Sequence, residues 1–142
     1  MRCEEIMKRD VECIAPTQPV QEAARRMRDA NIGFLPVCDS SKKVLGAITD
    51  RDIAIRIVAE GLPATTAAAD VMTPEVVACR PDDDVTEAEQ LMGERQKSRM
   101  IVTDENGCLC GVISLSDIAQ VEEGSRASET MRQITDREAR PH

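Results

Sequence analysis

Apolar and polar positions alternate along this chain in two registers, and the whole alternation is played twice. Val20, Ala23, Ala24 and Met27 recur at i, i+3, i+4 and i+7, which gives one apolar face and predicts a helix. That helix opens at Pro19, a position that tolerates proline, with Thr17 or Gln18 as its cap, and it ends at Asn31 and Gly33. Val11–Ile14 reads as a short strand closed by Pro16. Leu35–Cys38 and Val44–Thr49 read as strands of a hairpin joined by Asp39-Ser40-Ser41-Lys42-Lys43. A second helix is expected from about Asp50 to Glu60, stopped by Gly61 and Pro63.

The second half repeats the plan. Val76–Cys79 is the strand, and Asp82-Asp83-Asp84 opens a helix whose apolar face is Val85, Ala88, Leu91 and Met92. Met100–Thr103 and Leu109–Ser114 flank the turn Asp104-Glu105-Asn106-Gly107, and a last helix follows from Leu115. A shift of 65 residues lays Ile6–Val58 on Val71–Glu123 without a gap, and 14 of the 53 positions are then identical. Met7/Met72, Pro16/Pro81, Met27/Met92, Gly46/Gly111 and the Asp52-Ile53-Ala54/Asp117-Ile118-Ala119 tripeptides are among them. Identity at one fixed offset implies two copies of one unit, expected to pack about a pseudo-two-fold axis with paired clefts between them. The expected organisation is repeat 1 over 1–61, a connector over 62–69, repeat 2 over 70–123, and a polar tail over 124–142 that is either partly helical or disordered.

Composition narrows the function classes. At 142 residues the halves must share a fold, because a unit of about 50–60 residues is marginal alone. Phe34 is the single aromatic residue, so the core is aliphatic. A net charge of −8 argues against nucleic acid as the main partner. No apolar run is long enough to span a membrane, and the N-terminus has no apolar signal core, so a cytoplasmic location is expected. The six cysteines are irregularly spaced and read as buried or incidental thiols, with a redox role through Cys13, Cys38, Cys79, Cys108 and Cys110 as the rival. His142 is the only histidine and Cys108-x-Cys110 lacks partners at zinc spacing, so neither a catalytic triad nor a metal site is expected.

The sharpest motif is the strand-to-helix corner of each copy, Gly46-Ala47-Ile48-Thr49-Asp50-Arg51-Asp52 and Gly111-Val112-Ile113-Ser114-Leu115-Ser116-Asp117. Thr49-x-x-Asp52 and Ser114-x-x-Asp117 suit a helix cap with a short acid, which stabilises by about 1 kcal/mol. The same geometry suits a nucleotide, with a hydroxyl for phosphate and a carboxylate for two ribose hydroxyls. Both readings stand on the residues alone.

Two copies of strand–helix–strand–strand–helix, each ending in such a corner, resemble a tandem pair of CBS domains, or Bateman module, over about Glu5 to Glu123. The stretch Ile32-Gly33-Phe34-Leu35-Pro36-Val37 and the string Thr49-Asp50-Arg51-Asp52-Ile53 are similar to those of stand-alone bacterial two-CBS proteins. The resemblance implies an α+β fold of two β-α-β-β-α repeats. It also implies a regulatory module, not an enzyme, that binds AMP, ADP, ATP, S-adenosylmethionine or NAD in the clefts between repeats, with no other cofactor required. By position, Thr49 and Asp52 would serve one cleft, and Ser114, Ser116 and Asp117 the other. The backbone at Ile32-Gly33-Phe34 and at Lys97-Ser98-Arg99 would line the adenine pockets, with Arg99 as a phosphate ligand and Arg51 a weaker one. The segments around Asp10–Cys13 and Glu75–Ala78 would cover the base. Copy 2 departs from copy 1 at Ile101 for Pro36 and at Lys97-Ser98 for Ile32-Gly33, and few basic residues are expected near either cleft. Glu12 would repel phosphate if it faced a cleft, and the extra hydroxyl of Ser116 favours the Ser114/Asp117 site. The partners implied are a second copy of the chain and a regulated protein acting in trans. A ligand-free interaction module is the remaining alternative.

Overall fold

The computed structural model describes residues 1–121 and 125–139, with side chains in the last helix described over 129–136. The predicted elements recur at the 65-residue offset: α1 (Val20–Ala30) and α3 (Val85–Arg95), β1 (Phe34–Cys38) and β4 (Arg99–Thr103), β2 (Val44–Thr49) and β5 (Leu109–Ser114). After β2 comes α2 (Asp50–Ile53), the second copy opens on β3 (Ala78–Cys79), and after β5 come α4 (Leu115–Val121) and α5 (Ser125–Ala139). Helices and strands are mixed along the chain, and the fold is α+β.

The chain divides into two compact units that do not follow sequence order. Unit 1 comprises Met1–Val11, Val77–Glu105 and Cys110–His142, and unit 2 comprises Glu12–Val76 and Asn106–Leu109. The segment that precedes each copy therefore lies in the unit built by the other copy. In unit 2, Thr73 and Ala47 exchange backbone hydrogen bonds of 2.9 and 3.1 Å; in unit 1, Lys8 and Val112 do so at 2.9 and 3.0 Å. Glycine makes this approach possible. A Cβ on Gly46 would lie 2.5 Å from the Thr73 carbonyl oxygen, and one on Gly111 would lie 2.6 Å from that of Lys8.

In unit 2, β1 and β2 form an antiparallel hairpin with Phe34 opposite Thr49 and Leu35 opposite Ile48. The strand expected over Val11–Ile14 contracts to one parallel bridge, in which Ile14 donates to the Pro36 carbonyl and accepts from the Cys38 N–H. Unit 1 has a three-stranded sheet in the order β3-β4-β5, with Ala78 and Cys79 parallel to Ile101 and Val102. The cores are aliphatic as expected: Ile14, Val20, Leu35, Val37 and Ile48 in unit 2, and Val85, Met92, Met100, Val102, Ile113 and Ile118 in unit 1.

Two further features differ from the sequence reading. Neither Thr17 nor Gln18 caps α1. Pro19 holds the cap position without a side-chain bond, and the first helical N–H groups of Val20 and Gln21 donate to the carbonyls of Thr66 and Ala64. The segment between the copies thus does the work expected of a local cap, as Met1 does for Val85 in unit 1. The second helix of copy 1 is α-helical only over α2 and widens into a π turn over Ala54–Val58, where the Ala59 N–H donates to the Ala54 carbonyl. The polar tail, expected to be partly helical or disordered, takes the helical form over α5, which packs along α3 and buries Thr130 and Ile134. Gly93 of α3 admits it, since a Cβ there would overlap the Gln133 side chain.

Candidate functional site

Each corner is a hydroxyl residue at the end of a strand closing on an aspartate one turn into the following helix. In unit 2, the Asp52 N–H donates to Thr49 Oγ1 at 3.1 Å and the Thr49 N–H donates to Asp52 Oδ2 at 3.0 Å. In unit 1 the equivalent bonds run from Asp117 N to Ser114 Oγ at 3.1 Å and from Ser114 N to Asp117 Oδ2 at 2.9 Å. The cap reading is therefore correct at both corners. Capping occupies Oδ2 of each aspartate. In both, Oδ1 faces a cation instead: Arg56 Nε at 3.9 Å from Asp52, and Lys8 Nζ at 3.9 Å from Asp117. The two carboxylates are 15% and 13% exposed, reachable yet held in place through one oxygen.

The glycine or serine corner before β1 and β4 is tied to the same place. Asp50 N donates to the Gly33 carbonyl at 3.0 Å, and Leu115 N donates to the Ser98 carbonyl at 2.9 Å. Ile32, Gly33 and Phe34 thus adjoin Thr49 and Asp52, and Ser98 and Arg99 adjoin Ser114, Ser116 and Asp117. Side-chain space above Gly33 is taken by Asp50, whose Oδ2 would lie 2.7 Å from a Cβ there. Ser116 Oγ lies 2.9 Å from Ser114 Oγ, so unit 1 offers two adjacent hydroxyls where unit 2 offers Thr49 alone. The stretch expected to cover the base is divided: Asp10 and Val11 belong to unit 1, Glu12 and Cys13 to unit 2. Glu12 lines an open depression with Arg26, Asp29 and Ala30, apart from the residues of the Thr49 corner.

Two residues beside the aspartates were not found from the sequence. Arg56 sits in the π turn and donates to the carbonyls of Val71 at 2.8 Å and Met72 at 3.1 Å, joining the corner to the incoming segment. Lys8 is carried on the incoming segment of unit 1 itself. Neither stands in the corner motif, and only the exchange of segments brings Lys8 to Asp117.

The acidic run Asp82–Asp84 is consumed by local turns: Asp83 accepts from Arg80 N at 2.8 Å and Asp84 from Thr86 N at 2.9 Å. Among the described residues, no three His, Cys, Asp or Glu side chains gather as a metal site requires, and no helix is long and apolar enough to cross a membrane. His142 lies outside the described residues. The cysteines are free thiols. Cys79 donates to Cys3 across 3.7 Å in the unit 1 core, a contact that holds the Cys79 proton and raises its pKa. Burial, with Cys13 nearby, pushes the Cys38 thiol up to about 12. The sequence had no signal for the Cys3–Cys79 pair, whose members are 76 positions apart.

The model of the CBS domain matches the chain twice, over residues 3–59 and 68–124. The chain is 35% identical over 119 residues to the uncharacterized protein MK0525 of Methanopyrus kandleri, covering 83% of this chain and 61% of that protein. The crystal structure of Hypoxic Response Protein I with two coordinated zinc ions superposes with a TM-score of 0.80 at 30% identity, over 87% of this chain and 100% of that one. The CBS domain protein PAE2072 from Pyrobaculum aerophilum, complexed with AMP, superposes with a TM-score of 0.78 at 23% identity, over 92% and 98% of the two chains. With both copies matched and the corner geometry duplicated, this chain belongs to the CBS-domain family and carries two CBS domains in tandem.

Proposed function

We propose that the protein is a regulatory module that binds an adenosine-containing ligand at its two Ser/Thr-x-x-Asp corners and passes the occupancy on as a conformational change. One observation carries this reading: the same carboxylate is fixed twice through one oxygen, with the other oxygen facing outward beside a cation. A carboxylate so held is pre-organised to accept two vicinal ribose hydroxyls. The backbone at Ile32-Gly33-Phe34 and Lys97-Ser98-Arg99 supplies an edge for the base. The AMP carried by PAE2072, a protein of the same fold, supports the ligand class. The ligand would be AMP, ADP, ATP, NAD or S-adenosylmethionine. A homodimer in the cytoplasm would carry the signal, and a protein acting in trans would read it. The coupling can be no larger than the ligand's differential affinity for the two states. The role read here is regulatory, with each corner aspartate held by a backbone N–H for binding.

Thermal unfolding against AMP, ADP, ATP, NAD, S-adenosylmethionine and a non-adenine nucleotide tests this. A ligand at 100 times its dissociation constant adds about 2.7 kcal/mol, a shift of several degrees in a chain of this size. The reading requires a shift with at least one adenosyl compound that Asp52→Ala or Asp117→Ala reduces. No shift across the panel would leave the corners as helix caps in a ligand-free interaction module. A redox role is favoured by the thiol contacts Cys3–Cys79 and Cys13–Cys38, and thiol counting before and after mild oxidation tests it, because a loss of no thiols removes it.

A further inference from the structure

Arg56 joins two parts of unit 2 that the corner motif does not connect. Its Nη1 donates to the carbonyls of Val71 at 2.8 Å and Met72 at 3.1 Å, and its Nε stands 3.9 Å from Asp52 Oδ1. Val71 and Met72 lie in the segment through which the chain leaves unit 2, which ends at Val76, and enters unit 1 at Val77. Neighbouring amides hold that segment down. Met72 N donates to the Ala68 carbonyl at 2.9 Å, and Thr73 N donates at 2.9 Å to Ala47 of β2, the strand that ends at Thr49. At the 65-residue offset Arg56 falls on Val121, so unit 1 does not repeat the arginine. It reaches the same end by another residue, because the cation beside Asp117 is Lys8, which is itself part of the segment by which the chain leaves unit 1. In both units, then, the outward oxygen of the corner aspartate faces a cation that is carried on the crossing segment or bonded to it.

We propose that Arg56 is a positioning residue that couples the unit 2 corner to the crossing segment: it holds Val71 and Met72 while Asp52 Oδ1 is unshared, and loosens that hold when a ribose takes Oδ1. The inference rests on the adenosyl reading above and adds how occupancy of that corner is passed on. Oδ2 is committed to the Thr49 N–H, so the ribose and Arg56 meet at Oδ1. Hydroxyls that donate to Oδ1 take up the charge and the lone pairs that attract Nε, and the guanidinium loses the partner that fixes its direction. The guanidinium is a rigid planar fork, so it cannot turn from Asp52 without disturbing the two Nη1 bonds to the segment. Such a coupling is reciprocal. A ligand that loosens the segment binds against the cost of doing so, and removing Arg56 removes that cost.

The test is a titration of the full-length protein with adenosine, followed by the amide signals of Thr49–Asp52, Ser114–Asp117 and the pair Met72 and Thr73. Adenosine carries no phosphate, so Arg56 has no anion to bind and acts only through Asp52. In the wild-type chain, filling of the Thr49–Asp52 corner should speed hydrogen exchange at the Met72 and Thr73 amides. In Arg56→Met, which keeps the aliphatic stem, those two amides should exchange fast from the outset and ignore the ligand. Adenosine should then bind the Thr49–Asp52 corner about two- to fivefold more tightly, the range of an exposed ion pair, with affinity at Ser114–Asp117 unchanged. A residue that merely props the corner would move affinity the other way. A wild-type corner that fills with no response at Met72 and Thr73 overturns the proposal, and so does an Arg56→Met corner that binds adenosine equally or more weakly. If neither adenosine nor AMP moves Thr49–Asp52, the adenosyl reading of that corner falls, and the coupling falls with it.

Discussion

Unit 1 and unit 2 are built on one backbone plan and finished differently. Every bond that shapes a corner has its counterpart 65 residues away: the cap pair, the tie from Asp50 or Leu115 to the preceding corner, and the antiparallel exchange with the incoming segment. The differences lie in what surrounds that plan. Unit 1 has α5 along α3 and a lysine at its aspartate; unit 2 has a π turn and an arginine that also holds Val71 and Met72. On the proposed reading the duplicated geometry would seat a ligand at each corner, and the unduplicated residues are where the two sites would differ.

The comparison breaks first at its glycines. Gly46→Val and Gly111→Val should each destabilise by about 3 kcal/mol or more in denaturant unfolding, because the added carbons meet backbone oxygens that cannot turn aside. Similar losses at the two positions would confirm that the segment exchange is equivalent. A loss at only one would show the units to be held differently. Next in size is a feature without a counterpart. Ile134→Ala in α5 should cost roughly 2–4 kcal/mol by the same measurement, since Ile134 is 3% exposed within the unit 1 core. The caps come third: Thr49→Ala and Ser114→Ala should each cost about 1 kcal/mol.

The last prediction is a pH dependence carried by Cys38 in unit 2, separate from the alkaline contribution of the raised Cys79 thiol in unit 1. The Cys38 thiol is raised from 9.0 to about 12 by burial, so the native state holds its proton after the unfolded chain has lost it. Its stabilisation is complete below pH 9 and is lost as pH rises from about 9 toward about 12. Cys38→Ala should flatten that alkaline decline in a pH series of unfolding midpoints, while a decline of unchanged slope would assign it to other groups.

Much of this was legible in the sequence because the fold's regularities are local. The apolar spacing of Val20, Ala23 and Met27 gave α1, and alternation around two polar turns gave both hairpins. The Thr49–Asp52 and Ser114–Asp117 contacts span three residues, so spacing alone predicted them. What escaped depends on long-range contact. The first N–H groups of α1 are satisfied from Thr66 and Ala64, so no local cap signal exists there to be read, whereas α3 keeps its local Asp84 cap beside the bond from Val85 N to the Met1 carbonyl. Lys8 reaches Asp117 across more than a hundred residues. The polar composition of α5 left its helix as one of two readings and hid its packing on α3, which rests on few side chains, although Gly93 inside a helical pattern marked the place where a neighbour comes close.

The central claim is that the two aspartate corners are the ligand sites. It is tested most directly by calorimetric titration with the adenosyl compound that gives the largest thermal shift, on the wild-type chain, Asp52→Ala, Asp117→Ala and the double variant. The account predicts that each single substitution removes binding at its own corner and that the double variant binds nothing while remaining folded. Undiminished binding to a folded double variant would place the ligand elsewhere and contradict it.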